Sequence, residues 1–123
     1  MKAAYYPEAV ELDAYGNGGF RFADMSHKGS LLILPTGIYG WDYSDASQIN
    51  QEAFQPVFDA ADTVEFLLFG TGAQQLFPSM DIRKAFIDAD IGLEVMDTGA
   101  AARTYNVLQA EGRSIAAALI AVE

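Results

Sequence analysis

The residues whose types and spacing could do chemistry are few. Gly70-Thr71-Gly72 ends the buried strand expected from Thr63 to Phe69. A glycine-rich turn after a buried strand is where open α/β sheets place a phosphate-cradling loop. A dinucleotide fingerprint needs glycine again three residues on, and position 75 is Gln; no Gly-Lys-Ser/Thr follows, which excludes a P-loop. Asp97-Thr98 follows the strand expected over Leu93 to Met96 and opens a helix whose first N–H groups can receive an anion. Arg103 and Asn106 lie three apart on one face of that helix, within reach of a ligand carboxylate or a partner backbone. Together Gly70, Thr71, Gly72, Asp97, Thr98, Arg103 and Asn106 outline a crevice at the strand ends suited to a small anion. A tight turn, a helix cap and a solvated helix flank account for the same residues without a ligand.

Other chemistries find no residues. The chain has no cysteine, which removes disulfides, thiol catalysis and Cys-ligated metals. Its one histidine, His27, falls in an expected turn, without a Gly-x-Ser-x-Gly elbow to supply a nucleophile. The 17 Asp and Glu residues are spread along the chain, with no calcium-loop motif and no pair singled out for acid–base work. No catalytic residue, metal ligand or cofactor is therefore assigned. Two aromatic or apolar sets suit protein contact instead. Tyr39, Trp41 and Tyr43 share one face of a strand, and Trp and Tyr are enriched at interface hot spots; packing beneath the N-terminal hairpin is the alternative. Leu76 and Phe77 stand in an otherwise polar connection.

Composition narrows the partners. The 123 residues fit one domain, and 51% apolar against 20% charged fills a core easily. A net charge of −10 repels phosphate backbones and anionic lipid surfaces, which argues against nucleic acid. The opening Met1–Glu8 stretch carries one Lys, an early Glu and no apolar core, unlike a signal or transit peptide. The longest apolar runs fall far short of the roughly 20 residues of a membrane span, so a cytoplasmic protein is expected, and an acidic, aromatic-bearing surface fits a monomer or weak dimer.

The elements that must position these residues follow from pattern. Val10 to Ala14 alternates apolar with acidic, Asn17-Gly18 is a hairpin signal, and Phe20-Arg21-Phe22 returns. Ser30 to Leu34 is apolar on both faces and reads as a central strand, followed by Ile38 to Tyr43. Helix and strand then alternate: a helix from Asn50 to about Ala61 with Pro56 kinking or breaking its first turn, a strand to Phe69, and a helix capped by Ser79. A strand over Leu93 to Met96, a helix from Asp97 to about Ala110, a stop at Gly112 and a last strand over Arg113 to Val122 complete the chain. An ion pair between Glu111 and Arg113 is expected at that last corner. The order implies an α/β fold: a central mixed sheet, about three helices and an N-terminal β-hairpin layer.

Leu34-Pro35, Trp41, Phe69-Gly70-Thr71-Gly72, Phe77-Pro78, Glu94 to Thr98, Thr104 to Leu108 and Glu111-Gly112-Arg113, at these spacings, resemble the small Mth-type domain family. That family includes mitochondrial complex I assembly factor 3 and many short bacterial and archaeal proteins. The resemblance, from about Gly16 onward, implies a three-layer α/β fold, no established catalytic residue and no cofactor. It also implies a function through protein contact, with respiratory complex I assembly as the setting. The absence of a transit-like start makes the chain resemble a free-standing bacterial version.

Overall fold

In the computed structural model, which describes residues 4–123, the chain runs β1 (Ala4–Tyr6), β2 (Ala14–Gly16), β3 (Gly19–Phe22), β4 (Met25–Lys28), β5 (Ser30–Leu34), β6 (Gly37–Trp41), α1 (Gln55–Asp59), β7 (Phe66–Gly70), α2 (Met80–Asp88), β8 (Gly92–Met96), α3 (Thr98–Ala110) and β9 (Ala116–Leu119). The opening residues of the Met1–Glu8 stretch, on which the targeting expectation rests, lie outside those described. One sheet has six strands in the order β1-β6-β5-β9-β7-β8; a second is the three-stranded meander β2-β3-β4.

Strand β5, apolar on both faces from Leu31 to Leu34, is central, flanked antiparallel by β6 and β9. On its other side β9 pairs parallel with β7, and β7 parallel with β8, which makes the sheet mixed and leaves β8 at an edge. Ala116, Ala117 and Ala118 favour helix by propensity, yet all three are fully buried in β9. Their small side chains let layers approach closely on both faces, and that packing overrides propensity.

The sheet separates two cores. On one face Leu32, Leu34, Trp41, Leu67 and Phe69 pack against Phe54, Val57, Ile82 and Phe86 from the α1 and α2 side. On the other, Leu31, Ile33, Leu68 and Leu119 pack against Ala101 and Tyr105 of α3 and Phe20 and Phe22 of the meander. The three-layer expectation holds. The hairpin layer gains a third strand because Ala23 and Asp24, both at positive φ, form a second tight turn between Phe22 and Met25. Neither is glycine, so the sequence carries no strong signal for that turn.

Four local expectations change. His27 lies in β4, not in a turn, and its Nε2 faces the Ser30 carbonyl at 3.1 Å. The strand expected from Val10 begins only at Ala14, because Asn106 of α3 captures the backbone of Leu12 in place of a neighbouring strand. The helix expected from Asn50 is two 3₁₀ turns around the short α1, and Pro56 stands in its first turn, where the missing N–H is tolerated. Arg113 pairs with Glu65 at 3.2 Å rather than with Glu111, since the 65 and 113 corners adjoin where β7 and β9 begin. Among the described residues no helix is long and apolar enough to cross a membrane.

Candidate functional site

The parallel pairing of β7 with β8 brings Gly70-Thr71-Gly72 beside Asp97-Thr98, as the strand-end crevice requires. Their polar groups are turned on one another. The Thr98 hydroxyl, fully buried, accepts from the Gly72 N–H at 2.9 Å and donates to the Ile120 carbonyl at 2.7 Å. The Thr98 N–H returns to the Gly72 carbonyl at 2.8 Å. The Thr71 hydroxyl donates to the Gln74 carbonyl at 2.6 Å and accepts from the Leu76 N–H at 3.0 Å, folding the loop back on itself. Asp97 caps its own helix through the Ala100 N–H at 2.9 Å. Gly72 has φ +110°, a conformation that favours glycine. Gly70 is required by contact: a Cβ there would meet the Thr98 Cα and a Leu119 methyl carbon at 3.0 Å. The first turn of helix α3 thus rests directly on the end of β7.

Asn106 departs from the expected ligand role. Its amide accepts from the Leu12 N–H and donates to the Leu12 carbonyl, both at 2.8 Å, reproducing the two hydrogen bonds of an antiparallel strand pair. Beside it the Tyr105 hydroxyl donates to the Val10 carbonyl at 2.8 Å, and burial raises its pKa above the ordinary tyrosine range. Arg103 is exposed and donates to the Tyr15 hydroxyl at 3.0 Å, linking α3 to the meander. The proposed anion-orienting pair is therefore a clasp holding the N-terminal segment. Every buried side-chain nitrogen and oxygen among the described residues has a hydrogen-bond partner.

The aromatic strand face also departs from expectation. Trp41 is 7% exposed, donates from Nε1 to the Ala53 carbonyl at 3.0 Å, and sits among Tyr43, Phe54 and Phe69. It packs beneath the α1 segment, on the sheet face opposite the meander, which leaves it little surface for contact. Tyr39 is half-buried against the same core and shares a 2.7 Å hydrogen bond with Thr36.

Leu76 and Phe77 are exposed, Phe77 by 77%. Met80 and Ile87, on α2, are exposed by 72% and 75%, and were not singled out from the sequence. The signal was present: Ile87 lies off the Ile82–Phe86 stripe, an apolar residue on the wrong face of an amphipathic helix. Phe77, Pro78 and Ile87 wall a groove of about 330 Å³ whose floor is Leu93 and Val95 of the edge strand β8. The structure therefore brings Phe77 together with the sheet edge and separates it from Trp41.

A family model described as "Protein of unknown function (DUF498/DUF598)" matches residues 12–120. The mouse NADH dehydrogenase [ubiquinone] 1 alpha subcomplex assembly factor 3 is 32% identical over 117 residues; that alignment covers 94% of this chain but 62% of the relative, so the chain spans under two thirds of it. An uncharacterised Rhodobacter capsulatus protein is 34% identical, covering 91% of this chain and 85% of its own. Among solved structures, a Bartonella henselae protein described as an outer membrane protein is 47% identical with TM-score 0.93, covering 97% of this chain and 100% of that one. A Bordetella pertussis protein described as an Mth938-like domain is 27% identical with TM-score 0.78, covering 98% of this chain and 92% of that one. The family match from Leu12 to Ile120 takes in both cores, the α3 clasp and the groove, and the chain belongs to the DUF498/DUF598 family, with its Mth938-like fold.

Proposed function

We propose that the protein works without chemistry of its own, as an assembly or biogenesis factor that docks a partner protein on the Phe77–Ile87 surface. The observation that carries this reading is the groove between α2 and β8: its apolar rim is solvent-exposed while the polar groups of the strand-end crevice are satisfied internally. Exposed apolar side chains gathered around a groove mark interaction surfaces, because a monomer gains nothing by leaving them in water. The relatives named as NADH dehydrogenase assembly factors supply the setting, and respiratory complex I subunits or their assembly partners are the proposed clients.

The test is affinity capture from the native host after mild crosslinking, comparing the wild-type chain with Phe77→Asp and Ile87→Asp. Enrichment of NADH dehydrogenase subunits or assembly proteins by the wild type, lost in both variants while their melting temperatures are unchanged, is the expected result. Equal recovery by wild type and variants, or no enrichment of such proteins, overturns the reading.

A further inference from the structure

We propose that the partner docks as an extended segment that adds a seventh strand to the sheet along the open edge of β8, and that this segment alternates apolar with basic side chains. The proposal rests on the Phe77–Ile87 docking surface above and specifies what occupies it.

The argument begins with the main chain of β8. Gly92 donates its N–H to Glu65, and Met96 accepts at its carbonyl from Thr71. In a parallel ladder such groups recur every second residue, so Gly92, Glu94 and Met96 turn their main-chain groups toward β7. Leu93 and Val95 therefore turn theirs outward, where the sheet has no further strand among the described residues. The Val95 carbonyl accepts from the Gln75 side-chain amide at 2.8 Å, a side chain standing where a neighbouring strand would donate. The Leu93 N–H and carbonyl and the Val95 N–H form the remaining row, which is a template for an added strand.

Side chains then dictate the pattern of the occupant. Leu93 and Val95 lie on the α2 face of the sheet, where they pack against the core and floor the groove. Glu94 lies on the opposite face and is exposed. A strand laid beside β8 sends alternate side chains into the groove, beside Phe77 and Ile87, and the intervening ones to the level of Glu94. The first set meets a mainly apolar lining, which Arg83 also borders, and is therefore apolar. The second meets a carboxylate on a protein of net charge −10, and opposite charges across a strand pair are favourable. The same charges disfavour a second copy of this chain. An antiparallel pairing of two β8 edges through Leu93 and Val95 centres on Glu94 facing Glu94, a like-charge pair on two chains that already repel.

The experiment pans a displayed library of short random peptides against the full chain, then synthesises the enriched sequences. Each is made in ordinary form and with alternate backbone nitrogens methylated, which removes backbone donors and keeps every side chain. Three results are expected. Enriched peptides alternate apolar residues with Lys or Arg and slow the hydrogen exchange of the Leu93 and Val95 amides. Methylation of the β8-facing nitrogens, or Glu94→Lys, weakens binding about tenfold or more, the equivalent of 1.4 kcal/mol. Gln75→Ala, which frees the Val95 carbonyl, strengthens it. Peptides that need Phe77 yet ignore methylation and leave the two amides unprotected would overturn strand addition while leaving the docking surface standing. Peptides indifferent to Phe77→Asp, or a library without enrichment, would overturn both. Protection of Leu93 and Val95 that appears with protein concentration alone, together with dimer by light scattering, would make the occupant a second copy and overturn the partner assignment.

Discussion

Replacing Thr98 by Val separates a structural from a ligand-binding role at the strand ends. The two side chains have nearly the same shape, so packing survives and only the hydroxyl is lost. With it go the acceptor of the Gly72 N–H and the donor to the Ile120 carbonyl, at a residue with no solvent exposure. Leaving a buried donor or acceptor without a partner costs about 1–3 kcal/mol each, so Thr98→Val should destabilise by about 3 kcal/mol. In a chain of 123 residues that is a fall in melting temperature of roughly 10 °C, and a drop in urea midpoint of roughly 1.5 M at an m-value near 2 kcal/mol/M. Thr98→Ser keeps the hydroxyl and loses one buried methyl, which should cost about 1 kcal/mol. The assay is urea unfolding followed by Trp41 fluorescence and by circular dichroism, with coincident curves required. A Thr98→Val midpoint equal to or above that of Thr98→Ser would refute the claim that this hydroxyl ties the β7, β9 and α3 ends together.

The remaining predictions probe other parts of the same argument. Asn106→Leu removes both hydrogen bonds to Leu12 and should cost about 2 kcal/mol; hydrogen exchange should show faster exchange at Leu12 and Tyr15 while the β5 amides keep their order of protection. Trp41→Ala empties a site in the aromatic cluster and should cost about 3–5 kcal/mol in urea unfolding, whereas Phe77→Asp, at the surface, should move stability by less than about 0.5 kcal/mol. The pH dependence follows from Tyr105, whose folded pKa is raised by burial. Its neutral form is favoured in the fold, so its contribution is fully present below the unfolded value near 10 and is lost as pH rises above it toward the folded value. Stability should therefore fall above about pH 10 with a slope of up to about 1.4 kcal/mol per pH unit from this group. Tyr105→Phe should remove that component while lowering stability at neutral pH by about 1 kcal/mol, for the lost hydrogen bond to Val10.

Local pattern determined much of this protein. The Ser30–Leu34 run, apolar on both faces, could only be a central strand, Asn17-Gly18 could only turn a hairpin, and Asp97 before a helical stripe could only cap it, because each follows from chain geometry within a few residues. The same logic gave the mixed sheet, the three layers and the adjacency of Gly70–Gly72 to Asp97–Thr98. What the sequence could not determine was which polar groups would be satisfied by partners far along the chain. Thr98 meets Gly72 and Ile120, and Asn106 meets Leu12, 94 residues away. Those pairings exist only once α3 has settled on the sheet, and they turn an apparent ligand crevice into internal bracing. Burial of Trp41 had the same origin: period two places it on a face, but only the packed α1 segment makes that face the inside. The edge position of β8 is likewise a property of strand order, not of the Gly92–Met96 sequence. Strand order decided that Leu93 and Val95 would border the groove beside Phe77 and Ile87, and with it where this protein presents itself to others.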